Sequence, residues 1–307
     1  MKKGIYLVLI TAVISGFANF FNKFGMQALG KDAFQYTTLK NVAVALFLSM
    51  AILTPLLLPK LRILKSKDWQ RLVLIGLVGG SIPFLLFFKG LSITSSVSAS
   101  FIHKTLFIWV AILAWPILKE KLTKLQFLAL GILLFGNVVF EGFKGISWGV
   151  AETMILIATL MWAVENVIAK ISLKNMDSII LAWGRMFFGG IILIGFLVAT
   201  NNISGVLSMN FNQFGWLLLV SIFLTGYVIT WYSALKRLPA TTTASFLVLA
   251  SPITAFLNSA FVSHKMTSQY IWGAVIILGA VLLFAVANKS FFSLRGVAKK
   301  SGETTVI

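Results

Sequence analysis

Apolar residues in this chain run in stretches of about 18–25, and Pro, Gly, Asn and Lys/Arg clusters punctuate them. At 1.5 Å per residue a helix of that length crosses a hydrocarbon core of about 30 Å. The pattern predicts ten helices, over residues 4–28, 34–58, 71–92, 95–117, 123–141, 148–173, 178–200, 212–235, 241–263 and 269–288. The run after Lys2 and Lys3 starts like a secretory leader. It continues to about Met26 and nine similar runs follow, so it is read as the first span. The intervening loops are too short for a separate soluble domain. Pro59–Arg71, with Leu61, Ile63 and Leu64 among basic residues, reads as a segment lying along the membrane interface.

Composition turns the helices into membrane helices. Of 307 residues 59% are hydrophobic and 11% charged, against about 25% charged in a soluble domain. No soluble core absorbs that much apolar sequence. There are no cysteines, which excludes disulfides, thiolate metal sites and iron–sulfur clusters. His103 and His264 are too few for a histidine metal site, and no cofactor or metal is expected. A glycine-rich Lys-Ser/Thr loop is absent from the sequence, so the energy source expected is an ion or solute gradient.

The net charge of +18 would suggest nucleic acid in a soluble protein. Here it follows topology. With the N-terminus in the cytoplasm, 17 of the 26 basic residues fall in cytoplasmic segments and three, Lys31, Lys144 and Lys265, in outer loops. That bias predicts a multi-pass protein of the cell membrane with both termini inside and a basic cytoplasmic tail over 289–307. Anionic lipid is an expected partner and nucleic acid is not. The other six basic residues, Lys23, Lys40, Lys89, Lys104, Lys170 and Arg185, lie inside spans beside two acids, Glu152 and Glu165. A charge at the bilayer centre costs about 2.5–3.5 kcal/mol on the lenient insertion scale. Six of them point to use, with an anionic or carbonyl-rich passenger.

The two halves match. Asn19-x-x-x-Lys23 corresponds to Asn166-x-x-x-Lys170 at an offset of 147, and Lys40 to Arg185 two residues off that offset. Ala99-Ser100-Phe101 corresponds to Ala244-Ser245-Phe246, and Lys121-x-Thr123 to Lys265-x-Thr267. Five helices per half is an odd number, so the second half enters from the opposite side. The predicted fold is an all-α integral membrane protein, ten transmembrane helices as two inverted five-helix repeats, over 4–141 and 148–288. Such repeats put the substrate site near the midplane.

These elements resemble the EamA family of the drug/metabolite transporter superfamily over roughly residues 4–288. The carrying residues are Met161-Trp162-Ala163 with its weaker counterpart Ser15-Gly16, and the basic residues Lys40 and Arg185 early in the second and seventh helices. Tyr232-Ser233-Ala234-Leu235-Lys236-Arg237, its first-half version Phe88-Lys89-Gly90-Leu91, Pro252, and Glu120 before Leu122-Thr123 complete the set. The chain departs from the pattern at His264, in place of a glutamate, at the missing helix 4 proline, and at Lys89. The resemblance implies a permease working by alternating access; known relatives include exporters of amino acids and lipophilic compounds.

The candidate substrate-binding residues follow. Lys104 is too deep to snorkel to either surface and is placed against the passenger or a coupling carboxylate, the alternative being a buried pair with Glu165. His103 precedes it, about 100° around the helix. Glu165 and Asn166 sit past the middle of the sixth helix; Glu165 is a candidate proton-coupling site or a structural partner. Asn19 and Lys23 share a face of the first helix. Lys40 and Lys104 extend them into an outer basic path, with Lys170 and Arg185 as inner counterparts that could instead reach loop carbonyls. Trp162, Tyr227 and Trp231 are deep rings able to line a cavity or simply pack. Glu152 is read as structural. Ser81-Ile82-Pro83 and Ser251-Pro252 lie mid-span, where proline frees a carbonyl.

The expected function is therefore secondary transport of a small organic metabolite, polar or anionic, by a monomer or homodimer, with a coupling proton among the candidate partners. Export of amphipathic or lipophilic compounds is the alternative, and an integral-membrane enzyme acting on lipid-linked substrates the second.

Overall fold

Local signals set where four of the helices start. Asp32 accepts from the backbone N–H groups of Phe34 and Gln35, Thr123 and Gln126 form a reciprocal capping box, Asp177 accepts from Ile179, and Asn210 pairs reciprocally with Gln213. These caps satisfy N–H groups that a helix leaves orphaned. The computed structural model describes residues 2–94, 96–142, 148–204 and 209–287. The proposed tail 289–307 lies outside them.

The helices are α1 (Lys2–Leu29), α2 (Ala33–Ile52), the short α3 (Leu58–Arg62), α4 (Ser66–Leu91), α5 (Ser98–Leu118), α6 (Lys124–Glu141), α7 (Val150–Ser172), α8 (Ser178–Ala199), α9 (Phe211–Arg237), α10 (Ala240–Ser263) and α11 (Ser268–Ala287). Among the described residues nine of these are long and apolar enough to cross a membrane. The second predicted span, α2, is shorter than expected. It stops at Ile52, not 58, and is not among the nine. Gln35, Thr37, Thr38, Lys40 and Asn41 are buried within it, so its polar face is turned to other helices. The remaining segment, with Pro55 and Pro59, forms turns and α3.

Beside an apolar core, several polar side chains are buried and many large apolar ones are exposed. Asn41, Asn137, Glu165 and Lys40 are buried, while Trp115, Phe127, Ile222 and Leu282 face outward. Apolar solvent around the bundle accounts for both.

The packing has a repeating logic. α1 packs on α9 as α7 packs on α4; α1 packs on α10 as α7 packs on α5; α2 packs on α9 as α8 packs on α4. The pairs α2–α8, α5–α10 and α6–α11 also pack together. α5 and α10 are each broken, at Thr105 and at Val248–Leu249. At the second break Pro252 offers no N–H to Val248, whose carbonyl accepts instead from Ser251 at 3.1 Å. The residues that end both helices, Lys119 (φ 57°) and His264 (φ 51°), are left-handed.

Candidate functional site

Pro83 has no N–H, so the Gly79 carbonyl four residues before it lacks its helical donor. The turn around it, Gly76–Ser81, is widened to a π-helix. Side chains from three other helices supply the donors. Trp162 Nε1 and Arg185 Nη2 each donate to the Gly79 carbonyl at 3.0 Å, and Asn41 Nδ2 donates to the Gly80 carbonyl at 3.2 Å. α2, α7 and α8 thus converge on one turn of α4. Only glycine fits there. A Cβ on Gly79 would strike the Glu165 side chain, and one on Gly80 would strike the Arg185 carbonyl oxygen.

Glu165 is 1% exposed and accepts a hydrogen bond from Tyr232 Oη at 2.5 Å. The Arg185 guanidinium lies 5.8 Å from the Phe84 ring and 5.9 Å from the Tyr232 ring. Its charge acts on Glu165, Tyr232 and Tyr227. Arg185 Nε has no hydrogen-bond partner among the described residues, and the pair is not among the described ion pairs. Trp162 packs on Phe84 and, from α5, on His103 at 4.9 Å. Asn166 Nδ2 donates to the Trp162 carbonyl, and Tyr227 stacks on Trp231 at 6.0 Å.

A second buried cation faces the other end of the same aromatic ladder. Lys40 is 3% exposed. Its Nζ donates to Asn22 Oδ1 at 3.2 Å, which also accepts from Tyr36 Oη at 2.6 Å. Lys40 lies 4.9 Å from the Tyr36 ring and 5.6 Å from the Phe88 ring. Phe88 stacks on Phe84, one turn away on α4. Arg185 and Lys40 therefore flank a two-ring stack.

The sequence candidates divide accordingly. Trp162, Glu165, Asn166, Arg185, His103, Tyr227 and Trp231 fall in one connected set, with Lys40 adjoining it. Lys104 pairs with Glu141, which also accepts from Ser100 at 3.0 Å. Its expected alternative partner, Glu165, is taken by Tyr232. Glu141 is the last residue of α6 and of its apolar span, so the spans hold a third acid; the predicted span boundary fell on it. The outer basic path does not form one cluster. Lys40 contacts α1 and α4, Lys104 contacts α6, and Asn19 and Lys23 are exposed. Tyr36, Asn22, Gly79 and Asn41 were missed as site residues. Tyr36 lies four residues before Lys40 and Gly79 four before Pro83, spacings that could have flagged both.

The remaining charges close helix ends. Lys170 Nζ donates to the Leu235 and Leu238 carbonyls, both at 2.6 Å, at the C-terminus of α9. Glu120 accepts from Ala240 N–H at 2.6 Å and Thr241 N–H at 3.1 Å, capping α10. Glu152 accepts from Gly149 N–H at 2.9 Å and bonds Thr94.

A relative from Clostridium kluyveri, described as an uncharacterized transporter, is 25% identical over 98% of this chain and 99% of its own length. The uncharacterized transporter YoaV of Bacillus subtilis is 22% identical over 97% of this chain and all of its own. A crystal structure of 12% identity superposes with a TM-score of 0.77, covering 95% of this chain and 100% of that one, which establishes the fold alone. The description of the EamA-like transporter family matches twice, at residues 2–140 and again at 149–286. With nine apolar spans, two matches covering nearly its whole length and relatives named as transporters, this chain is a multi-pass membrane protein belonging to the EamA-like transporter family.

Proposed function

We propose that the protein is a secondary transporter that moves a small organic metabolite, polar or anionic, by alternating access between two inverted five-helix repeats. The observation that carries the substrate class is the pair Lys40 and Arg185. Both are buried, to 3% and 6% exposure, at matched places in α2 and α8. Neither has an ion-pair partner among the described residues. Lys40 is a buried cation with no acid acting on it among the described residues, and Glu165 is the one carboxylate that acts on Arg185. The pair therefore keeps a net positive charge whose burial is costly, and an anion arriving between them relieves that cost. The Phe84–Phe88 stack between them suits a passenger with a flat or apolar part.

The ten-span, two-repeat reading rests on the paired helix contacts, the matching breaks in α5 and α10, the left-handed Lys119 and His264, and the double family match. It makes α2 the tenth crossing, 20 residues long. The positive-charge bias supports a cytoplasmic position for the end where α1 begins.

Thermal unfolding of the purified protein against panels of anionic, neutral and cationic metabolites tests the substrate class. Anions are expected to stabilise the wild type, Lys40→Gln to lose at least about ten-fold in apparent affinity, roughly 1.4 kcal/mol, and Lys104→Gln, whose lysine Glu141 already neutralises, to keep it. Stabilisation by cationic or lipophilic compounds that is unchanged in Lys40→Gln would sink the anion reading and favour amphipathic export.

Burial differs between matched positions in the halves, which supports alternating access caught open at one end. Asn19 is exposed whereas Asn166 is buried; Lys23 is exposed whereas Lys170 bridges two carbonyls; Ser100 is half-buried whereas Ser245 is buried. Asn19 lies between Gly16, which faces Ile253 of α10, and Asn22, which faces α2. It therefore looks into the groove between those helices. The chain has no native cysteine, so single replacements report without background. Asn19→Cys is expected to react with a membrane-impermeant maleimide at least about ten-fold faster than Asn166→Cys. Equal rates, or the reverse order, would contradict this state.

A further inference from the structure

Where α3 and α4 meet the turn between α7 and α8, a cleft of about 640 Å³ opens at the end of the bundle where α1 begins. Lys60, Lys65, Lys67 and Arg71 form one wall, Lys174 and Lys236 the other. The walls belong to different halves of the chain. Among the described residues two carboxylates, Asp68 and Asp177, line the cleft. Asp177 receives Lys60 at 2.9 Å and Asp68 lies 3.8 Å from Arg71. Burial pushes the Asp177 carboxyl up, but hydrogen bonds from Lys60 and the Ile179 N–H, with the charges of Lys60 and Lys236, outweigh it and hold it below the ordinary range. It stays ionised and neutralises one lysine. Lys236 donates to the Met176 carbonyl at 2.7 Å, so Lys60 and Lys236 share the one Asp177 carboxylate. Six cations against two carboxylates make a focused positive field in a concave site.

The connection that carries α3 and lends Ile63 to the cleft argues for what fills it. Leu53, Leu56 and Ile63, on the connection that carries α3, are 68%, 73% and 77% exposed. Apolar side chains next to lysines at the end of a membrane helix match the boundary between acyl chains and phosphates. A soluble anion would satisfy the lysines and leave the leucines bare; a lipid covers both.

We infer that this cleft is a binding site for an anionic phospholipid, its headgroup phosphate held by Lys65, Lys67 and Lys174 and its acyl chains against Leu53, Leu56 and Ile63. The bound phosphate links the two halves, in parallel with the Lys60–Asp177 pair. The inference is independent of which metabolite is carried.

The test uses the full-length protein in a neutral detergent, titrated with phosphatidylglycerol or phosphatidylcholine and followed by thermal unfolding. Phosphatidylglycerol is expected to stabilise at least about five-fold lower concentration than phosphatidylcholine. Lys65→Gln/Lys67→Gln/Lys174→Gln is expected to erase that preference. Lys119→Gln/Lys121→Gln/Lys124→Gln removes the same charge elsewhere and is expected to keep it. Lys174→Gln alone, at an exposed turn position, should shift the midpoint in the same direction by about two-fold. Equal lipids, or equal loss in both triple variants, would overturn the site. Inorganic phosphate or glycerol 3-phosphate competing as well as the lipid would overturn the lipid assignment.

Discussion

Arg185→Met is expected to destabilise the protein by about 3–5 kcal/mol, the range for removing one partner of a buried charged set. The argument starts at Gly79. Its carbonyl has no helical donor because residue 83 is proline, and Arg185 Nη2 is one of the two side-chain donors that replace it. The same guanidinium provides the positive field at Glu165, which is 1% exposed and otherwise held by Tyr232. Methionine keeps the volume and removes both interactions, so Glu165 is left ionised and uncompensated or takes up a proton. Adding Glu165→Gln removes that stranded charge while Tyr232 Oη still finds an oxygen to donate to. Arg185→Met/Glu165→Gln should recover most of the loss. Thermal or denaturant unfolding of the wild type, both single variants and the double variant measures the coupling. A single-variant loss under about 1 kcal/mol, or additive losses, would show that Arg185 and Glu165 do not act as a unit.

Gly80→Ala is expected to cost about 3 kcal/mol or more, at the top of the overpacking range, and to lower the yield of folded protein. Most overpacking is eased by a side chain moving aside. Here the added Cβ meets the backbone of α8, the Arg185 carbonyl oxygen and the Gly189 Cα. Relief would require separating α4 from α8, and with it the bonds from Arg185 and Asn41 to the glycine carbonyls. Gly131, Gly195 and Gly279 are the contrast. They too lie in helices, but a Cβ there meets nothing within 4 Å. Alanine at those positions should be neutral or stabilising by about 0.5–1 kcal/mol, from helix propensity alone. If Gly80→Ala behaves like Gly131→Ala, the close crossing of α4 and α8 is wrong.

The membrane class, nearly all the helices and the family were legible in the amino-acid sequence, because they depend on local quantities. The length of an apolar run fixes whether a helix can span. Proline removes one N–H wherever it stands, so a freed carbonyl near Pro83 could be anticipated from the sequence alone. The burial of Lys40 and Arg185 was likewise implied by their place within apolar runs. The matched residues at an offset near 147 foreshadowed the paired contacts α1–α9 with α4–α7.

Partnership was not legible, because it depends on which helices adjoin and on their rotation. Lys104 looked like the deepest free cation until α5 and α6 met and Glu141 neutralised it. A pair with Glu165 was the alternative for Lys104, yet Glu165 accepts from Tyr232, 67 residues away in sequence. The polar face of α2 lowered its apolarity below that of its neighbours, and only packing against α8 and α9 explains why such a helix sits in the bundle. The sequence by itself determined that charges lie within apolar runs, since the energy of such a run is additive along the chain. The tertiary structure decided which charges are neutralised and which stay open, since a Coulomb interaction depends on distances between helices that no single segment encodes.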